Sequence, residues 1–207
     1  MKFQTIGNPN DSLIIMLPGS FCPSSGLNYL YEKLKDDYCI VLVEYNGHYE
    51  NSTFSSRQNE AKGIVEYIQK QNIHTIKMIY GQSMGAEIAI ELFKQLEKTN
   101  IDVDYCFLDG ASCIKLPYLY KKFMYFKFNQ ILKMMKKTDV DQILNMKLIK
   151  KIARGNIENL RPMIEPMAVA AQFLSKESVK NETECCYTFD FPLFDKEAQN
   201  KMYFFYG

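Results

Sequence analysis

Histidine is scarce in this chain: only His48 and His74 occur among 207 residues. Charge of one sign is missing too. Lys and Arg number 25 against 24 Asp and Glu, a net charge of +1, so no overall basic field marks a nucleic-acid partner. The six cysteines (22, 39, 106, 113, 185 and 186) lack C-x-x-C spacing, and Cys39 and Cys106 sit in apolar runs where free thiols pack as small hydrophobes. A reducing compartment follows as the expectation, and with it a cytoplasmic location. In that setting Asn51-Ser52-Thr53 and Asn181-Glu182-Thr183 carry no glycan. No charged-then-apolar leader opens the chain, and no apolar run approaches the ~20 residues needed to span a bilayer. Internal repeats and low-complexity segments are absent, and no metal or cofactor is expected.

What is present is 47% hydrophobic and 24% charged, enough for one well-buried α/β domain with a small insertion. The most informative stretch runs from His74 to Leu96. Thr75 to Tyr80 is β-branched and apolar, suited to a buried strand, and Met84, Ile88, Leu92 and Leu96 recur at helical spacing. Between them Gly81-Gln82-Ser83-Met84-Gly85 forms G-x-S-x-G at a strand-to-helix joint. Glycines two residues either side allow so tight a turn that Ser83 is forced into strained φ/ψ with its Oγ outward. The helix begins at that serine, so its free N–H groups and positive dipole end face any oxyanion formed there. The competing reading is a plain helix cap in which Ser83 satisfies a backbone N–H.

The rest of the first half alternates strands and helices. Met1 to Ile6 reads as a short edge strand, ended by the turn cluster from Gly7 to Asp11. Leu13 to Leu17 is a continuous apolar run, as expected of a strand covered on both faces, and it stops at Pro18-Gly19-Ser20-Phe21. Leu27 to Leu34 is a short helix, Cys39 to Val43 another buried strand, and residues 58 to 71 a helix turning Ala61, Ile64, Val65 and Ile68 inward. Successive strand–helix–strand units imply parallel strands with right-handed crossovers. Tyr105 to Leu108 extends the sheet and is closed by Asp109-Gly110.

Three motifs in this order carry a resemblance: Leu17-Pro18-Gly19-Ser20, Glu44-Tyr45-Asn46-Gly47-His48-Tyr49-Glu50-Asn51-Ser52, and Gly81 to Gly85. The chain resembles the α/β-hydrolase fold family, whose members have strands ending in H-G-x and in D-x-x-G-H-G-x-S before G-x-S-x-G. Pro18, Glu44 and Tyr49 depart from that pattern, while Gly19, Gly47, Gly81 and Gly85 keep it. The resemblance implies a mostly parallel sheet flanked by helices. Residues 1–110 would form the first part of the core, 111–195 a helical cap insertion, and 196–207 a late core strand, with truncation after the penultimate strand. From Lys115 to Arg154 eleven basic residues oppose only Asp139 and Asp141. Interleaved aromatics from Tyr118 to Phe128 suit an acyl pocket, an anionic membrane surface, or a solvated helix packed on the core.

The resemblance also implies a chemistry. Ser83 would be the nucleophile, with backbone N–H groups of Met84 and Ser20 as oxyanion donors and Phe21 as a substitute for the latter. The family's order of serine, acid, histidine requires a histidine after Ser83, and none follows. His74 precedes the serine strand and lies at its far end. His48 occupies the loop-shaping position of G-H-G, and Asp109 is an alternative acid that more readily caps the Gly110 turn. Glu87 reads as a surface or salt-bridge residue. Acid and histidine are thus expected beyond Gly207, in a serine hydrolase acting on an apolar carboxylic ester or thioester. The alternative is a catalytically incomplete binding or interaction module. A chain ending at Lys201 to Tyr206 would also expose an aromatic sheet edge, an expected homodimer contact.

Overall fold

The computed structural model describes residues 1–152 and 156–206; Arg154 and Gly207, named above, lie outside them. Six strands form one sheet: β1 (Lys2–Ile6), β2 (Leu13–Leu17), β3 (Cys39–Glu44), β4 (Thr75–Gln82), β5 (Asp102–Asp109) and β6 (Met202–Phe205). Their order across the sheet is β1-β3-β2-β4-β5-β6, with β1 antiparallel to β3 and every other pair parallel. β2 and β4 are central, so both their faces are covered. This is why LIIML reads as an unbroken apolar run: Ile14 to Leu17 are all buried.

Helices α1 (Asn28–Leu34), α2 (Arg57–Lys70) and α3 (Met84–Leu96) make the crossovers. α2 is capped by Ser56, whose side chain accepts the Asn59 N–H, and it buries Ala61, Ile64 and Ile68. α1 covers the opposite face, where Leu27, Ile40, Leu42 and Tyr80 pack with Leu30, Tyr31 and Leu34. The sheet is therefore a central layer between helices, the α/β architecture expected from the alternating pattern.

Beyond β5 the chain is helical: α4 (Tyr118–Met135), α5 (Val140–Leu144), α6 (Lys147–Ile152), α7 (Arg161–Ala171), α8 (Lys176–Tyr187) and α9 (Lys196–Asn200). Leu132, Met135, Ile143, Leu144, Ile164, Leu174 and Val179 form a second cluster, and Phe21 reaches into it from the loop after β2. α8 belongs to both clusters, because Val179 packs in the helical one while Cys185 and Cys186 pack in the main core. The Arg57 guanidinium fastens this junction by donating to the Cys185 and Thr188 carbonyls at 2.8 and 2.7 Å. At the far side of the sheet β6 pairs with β5 alone among the described residues, and Tyr203, Phe204 and Phe205 are exposed.

Candidate active site

Ser83 stands between β4 and α3 with φ 52° and ψ −120°, a conformation that costs an L-residue free energy and persists only where its surroundings enforce it. They do so through the backbone. The Ser83 N–H donates to the Asp109 carbonyl at the end of β5 at 2.7 Å, and the Ser83 carbonyl accepts the Ala86 N–H at 2.9 Å. The side chain caps nothing, which removes the plain helix-cap reading. Ser83 is exposed while Met84 behind it is buried.

The glycines explain how the bend fits. A Cβ on Gly85 would lie 2.3 Å from the Leu17 carbonyl oxygen and 2.5 Å from that of Pro18, and one on Gly81 would lie 2.4 Å from the Gly85 oxygen. No side chain fits at either position, so the first turn of α3 rests directly on the end of β2. The same closeness brings the loop after β2 to the serine: a Cβ on Gly19 would be 3.5 Å from the Ser83 Cβ.

In that loop the Ser20 hydroxyl is 3.1 Å from the Cys186 thiol on α8, and burial pushes that thiol well above its ordinary pKa, so it stays protonated. The Ser20 N–H has no hydrogen-bond acceptor among the described residues. Phe21 differs. Its N–H donates to Glu182 at 2.8 Å and its φ is 59°, so the substitute oxyanion donor is already committed and drops out. At the start of α3 the Met84 N–H is one of the first-turn amides that a helix leaves without an intrahelical acceptor.

Neither histidine makes a hydrogen bond to Ser83 among the described residues. His74 is exposed before the first residue of β4, whose eight residues put it on the order of 25–30 Å from the serine. There it lines a cleft of about 510 Å³ at the amino ends of the strands, with Asp11, Cys39 and Gln71. His48, two sheet positions from β4, is buried. Its Nε2 lies 2.9 Å from Glu182 Oε1 and its Nδ1 3.5 Å from Glu44 Oε1. Burial alone would lower the imidazole pKa, but the carboxylates of Glu182 and Glu44 outweigh it and raise it to about 10. His48 is therefore a fixed imidazolium at neutral pH and has no lone pair to accept a serine proton.

Glu182 is the residue that the sequence reading passed over. One carboxylate ties Phe21 in the β2 loop to His48 in the β3 loop, and Glu44 in turn accepts the Ser24 N–H and hydroxyl at 3.0 and 2.9 Å. A signal was available. Val179 and Cys186, apolar residues at i−3 and i+4 from Glu182, share its face by helical spacing, and both are buried, which sets this acid on the inward face of α8.

The remaining acids are also occupied. Asp109 accepts the Tyr80 hydroxyl at 2.7 Å, and Tyr80 in turn lies 3.3 Å from the Tyr29 hydroxyl. Glu87, expected at the surface, is buried instead. It accepts the Ser112 hydroxyl at 2.7 Å and the Cys113 N–H at 3.2 Å on Oε1, while Oε2 is buried with no partner among the described residues. From Met84 to Ile90 every residue of α3 is buried, so its first two turns leave Glu87 no solvated face.

Burial raises the Glu87 pKa to about 7, against the pull of Ser112 and Cys113. An acid with a raised folded pKa is protonated in the folded chain before it is in the unfolded one. Its burden on stability is thus absent below pH 4.5, grows as pH rises to about 7, and is full above that. Glu87→Gln is expected to stabilise the protein by about 1–2 kcal/mol at pH 8 and by nothing at pH 4.5, read from urea midpoints at both pH values. Equal effects at the two pH values would show that the carboxyl is not charged above neutrality.

Solved structures similar to this one agree on the architecture. An α/β-hydrolase family protein from Desulfitobacterium hafniense matches with TM-score 0.71 and 19% identity over 91% of this chain and 73% of its own. An esterase from Exiguobacterium antarcticum matches with TM-score 0.63 and 20% identity over 91% and 70%. A marine microorganism esterase gives 0.62 and 16% over 91% and 74%. No protein-family model matches the sequence, and neither does any curated protein. The chain has the α/β-hydrolase fold: a mostly parallel six-stranded sheet flanked by helices, joined to a helical segment.

Proposed function

We propose that the chain is the nucleophile-bearing part of a serine hydrolase that cleaves a carboxylic ester or thioester. The observation that carries this reading is Ser83, exposed at φ 52° between β4 and α3 and packed against the Gly19 loop. In this mechanism the Ser83 Oγ attacks the carbonyl carbon while an imidazole takes its proton. The carbonyl oxygen becomes an oxyanion held by the Ser20 and Met84 N–H groups. Collapse of the tetrahedral adduct expels the alcohol or thiol, which takes the proton back, and water then releases the acid from the acyl-enzyme. His48 is held by Glu182 and Glu44 and His74 lies at the far end of β4, so the histidine and acid of this mechanism are ones that the described residues do not supply. Phe21, Phe128 and Tyr187, in successive ring contact beside the Ser20 loop, favour an apolar acyl group.

The same lack of an imidazole hydrogen-bonded to Ser83 among the described residues supports a second reading, a binding module that keeps the bend without the chemistry. Fluorophosphonate labelling separates the two. Rapid, stoichiometric labelling at Ser83, abolished in Ser83→Ala, is expected if a base reaches the site, including one lent by a second chain. An unlabelled serine with ester turnover at the buffer rate favours the binding module, because a serine hydroxyl without a base is a poor nucleophile.

A further inference from the structure

α4 has two apolar faces, and only one of them packs on other residues among those described. Inward, Tyr125, Phe128, Leu132 and Met135 join the second hydrophobic cluster, with Phe128 against Phe21 at 5.0 Å between ring centroids. Outward, Leu119, Phe123 and Phe126 follow at i, i+4 and i+7 on one stripe and are 75%, 56% and 59% exposed. A helix that only covers the core carries polar residues on its solvent side, so this stripe needs its own explanation.

The charges around the stripe supply it. α4 contains four lysines and no acid over its 18 residues. Lys121 is paired with Glu184 at 2.8 Å, but Lys122, Lys127 and Lys133 have no carboxylate partner among the described residues and are exposed. At about 100° per residue Lys122 and Lys133 flank the apolar stripe on one side and Lys127 on the other. A neutral apolar partner would cover the stripe and leave that rim unanswered. An anionic bilayer answers both, since ring and leucine side chains enter the headgroup boundary while the lysine stems reach back to the phosphates.

We infer that α4 is a peripheral docking face for anionic membrane surfaces, lying in the plane of the bilayer with the Leu119, Phe123 and Phe126 stripe inserted. No helix among the described residues is long and apolar enough to cross a membrane, so α4 lies on the bilayer and does not span it. Ser83 has no part in this contact, and bilayer binding stands or falls independently of the hydrolase reading.

The test is co-sedimentation of the 207-residue protein with phosphatidylcholine vesicles, with and without phosphatidylserine, at low and raised salt. Binding to the phosphatidylserine vesicles that weakens with salt is expected, with far less on phosphatidylcholine alone. Each lysine near such a surface strengthens binding about fivefold, so Lys122→Gln, Lys127→Gln and Lys133→Gln together should lose on the order of a hundredfold. Phe123→Ser with Phe126→Ser should abolish binding. All five side chains are exposed, and unchanged circular dichroism is expected for both variants. Failure to bind phosphatidylserine vesicles would overturn the proposal, as would equal binding to neutral ones. It would also be overturned if the wild type self-associated without lipid and the two serine substitutions abolished that association, since a second copy would then be the occupant.

Discussion

Glu182→Ala is expected to destabilise the protein by about 3–5 kcal/mol, the range found when one partner of a buried ion pair is removed and the other is left behind. The variant strands a buried His48 whose nearest remaining carboxylate oxygen is Glu44 Oε1 at 3.5 Å, beyond hydrogen-bond reach. It also leaves the Phe21 N–H without its acceptor, so two buried donors are orphaned by one substitution. Glu182→Gln should cost less, because an amide oxygen keeps one of these two bonds.

The pH dependence distinguishes an ion pair from mere packing. The folded His48 pKa of about 10 exceeds its ordinary value of 6.5. A base held protonated by the fold contributes stability that is fully present below pH 6.5 and is lost as pH rises towards about 10. Wild-type stability should therefore fall across that window, and Glu182→Ala should flatten the fall. Urea midpoints at pH 6 and pH 9.5 measure it, and amide exchange at Phe21 reports whether the loop beside Ser83 has been released. An unchanged slope in the variant would mean that Glu182 does not hold the proton on His48.

Much of this fold was legible because burial on both faces writes itself plainly. LIIML and CIVLV are continuous apolar runs because β2 and β3 lie inside the sheet, and Gly81 and Gly85 mark the bend because no other residue fits. Glu87 was misread for a related reason. One apolar stripe through Met84, Ile88, Leu92 and Leu96 suggested a solvated opposite face, yet Ala86, Ala89, Ile90 and Phe93 are buried too. Being apolar all round was the better cue. The Phe21–Glu182–His48 contacts could not be read at all, since their partners stand 161 and 134 residues apart and only the fold brings them together. His48 looked like a loop-shaping residue, and what shapes the loops is the acid on α8 that it meets.

Gly85→Ala is expected to cost about 3 kcal/mol or more, at the upper end of what overpacking a core position brings. The added methyl would meet two carbonyl oxygens at 2.3 and 2.5 Å, and both belong to backbone at the end of β2. A clash with the tip of a flexible side chain is relieved by a rotamer change, but β2 is hydrogen-bonded to β3 on one side and β4 on the other. The strand has no direction in which to yield, so the start of α3 must lift instead. Lifting α3 carries Ser83 away from the Gly19 loop, so lost stability and lost reactivity towards a serine probe should appear together. Gly110→Ala is the control. Its φ of +63° penalises a side chain by about 1–2 kcal/mol, but nothing lies within 4 Å of the added carbon. Gly19→Ala, with only 3.5 Å contacts, should leave the fold nearly unchanged. Urea denaturation should order the three as Gly85→Ala far below Gly110→Ala, and Gly110→Ala below Gly19→Ala. If Gly85→Ala and Gly110→Ala cost the same, left-handed strain and steric contact would be indistinguishable here, and the close seating of α3 on β2 could not be what holds Ser83 in its strained conformation.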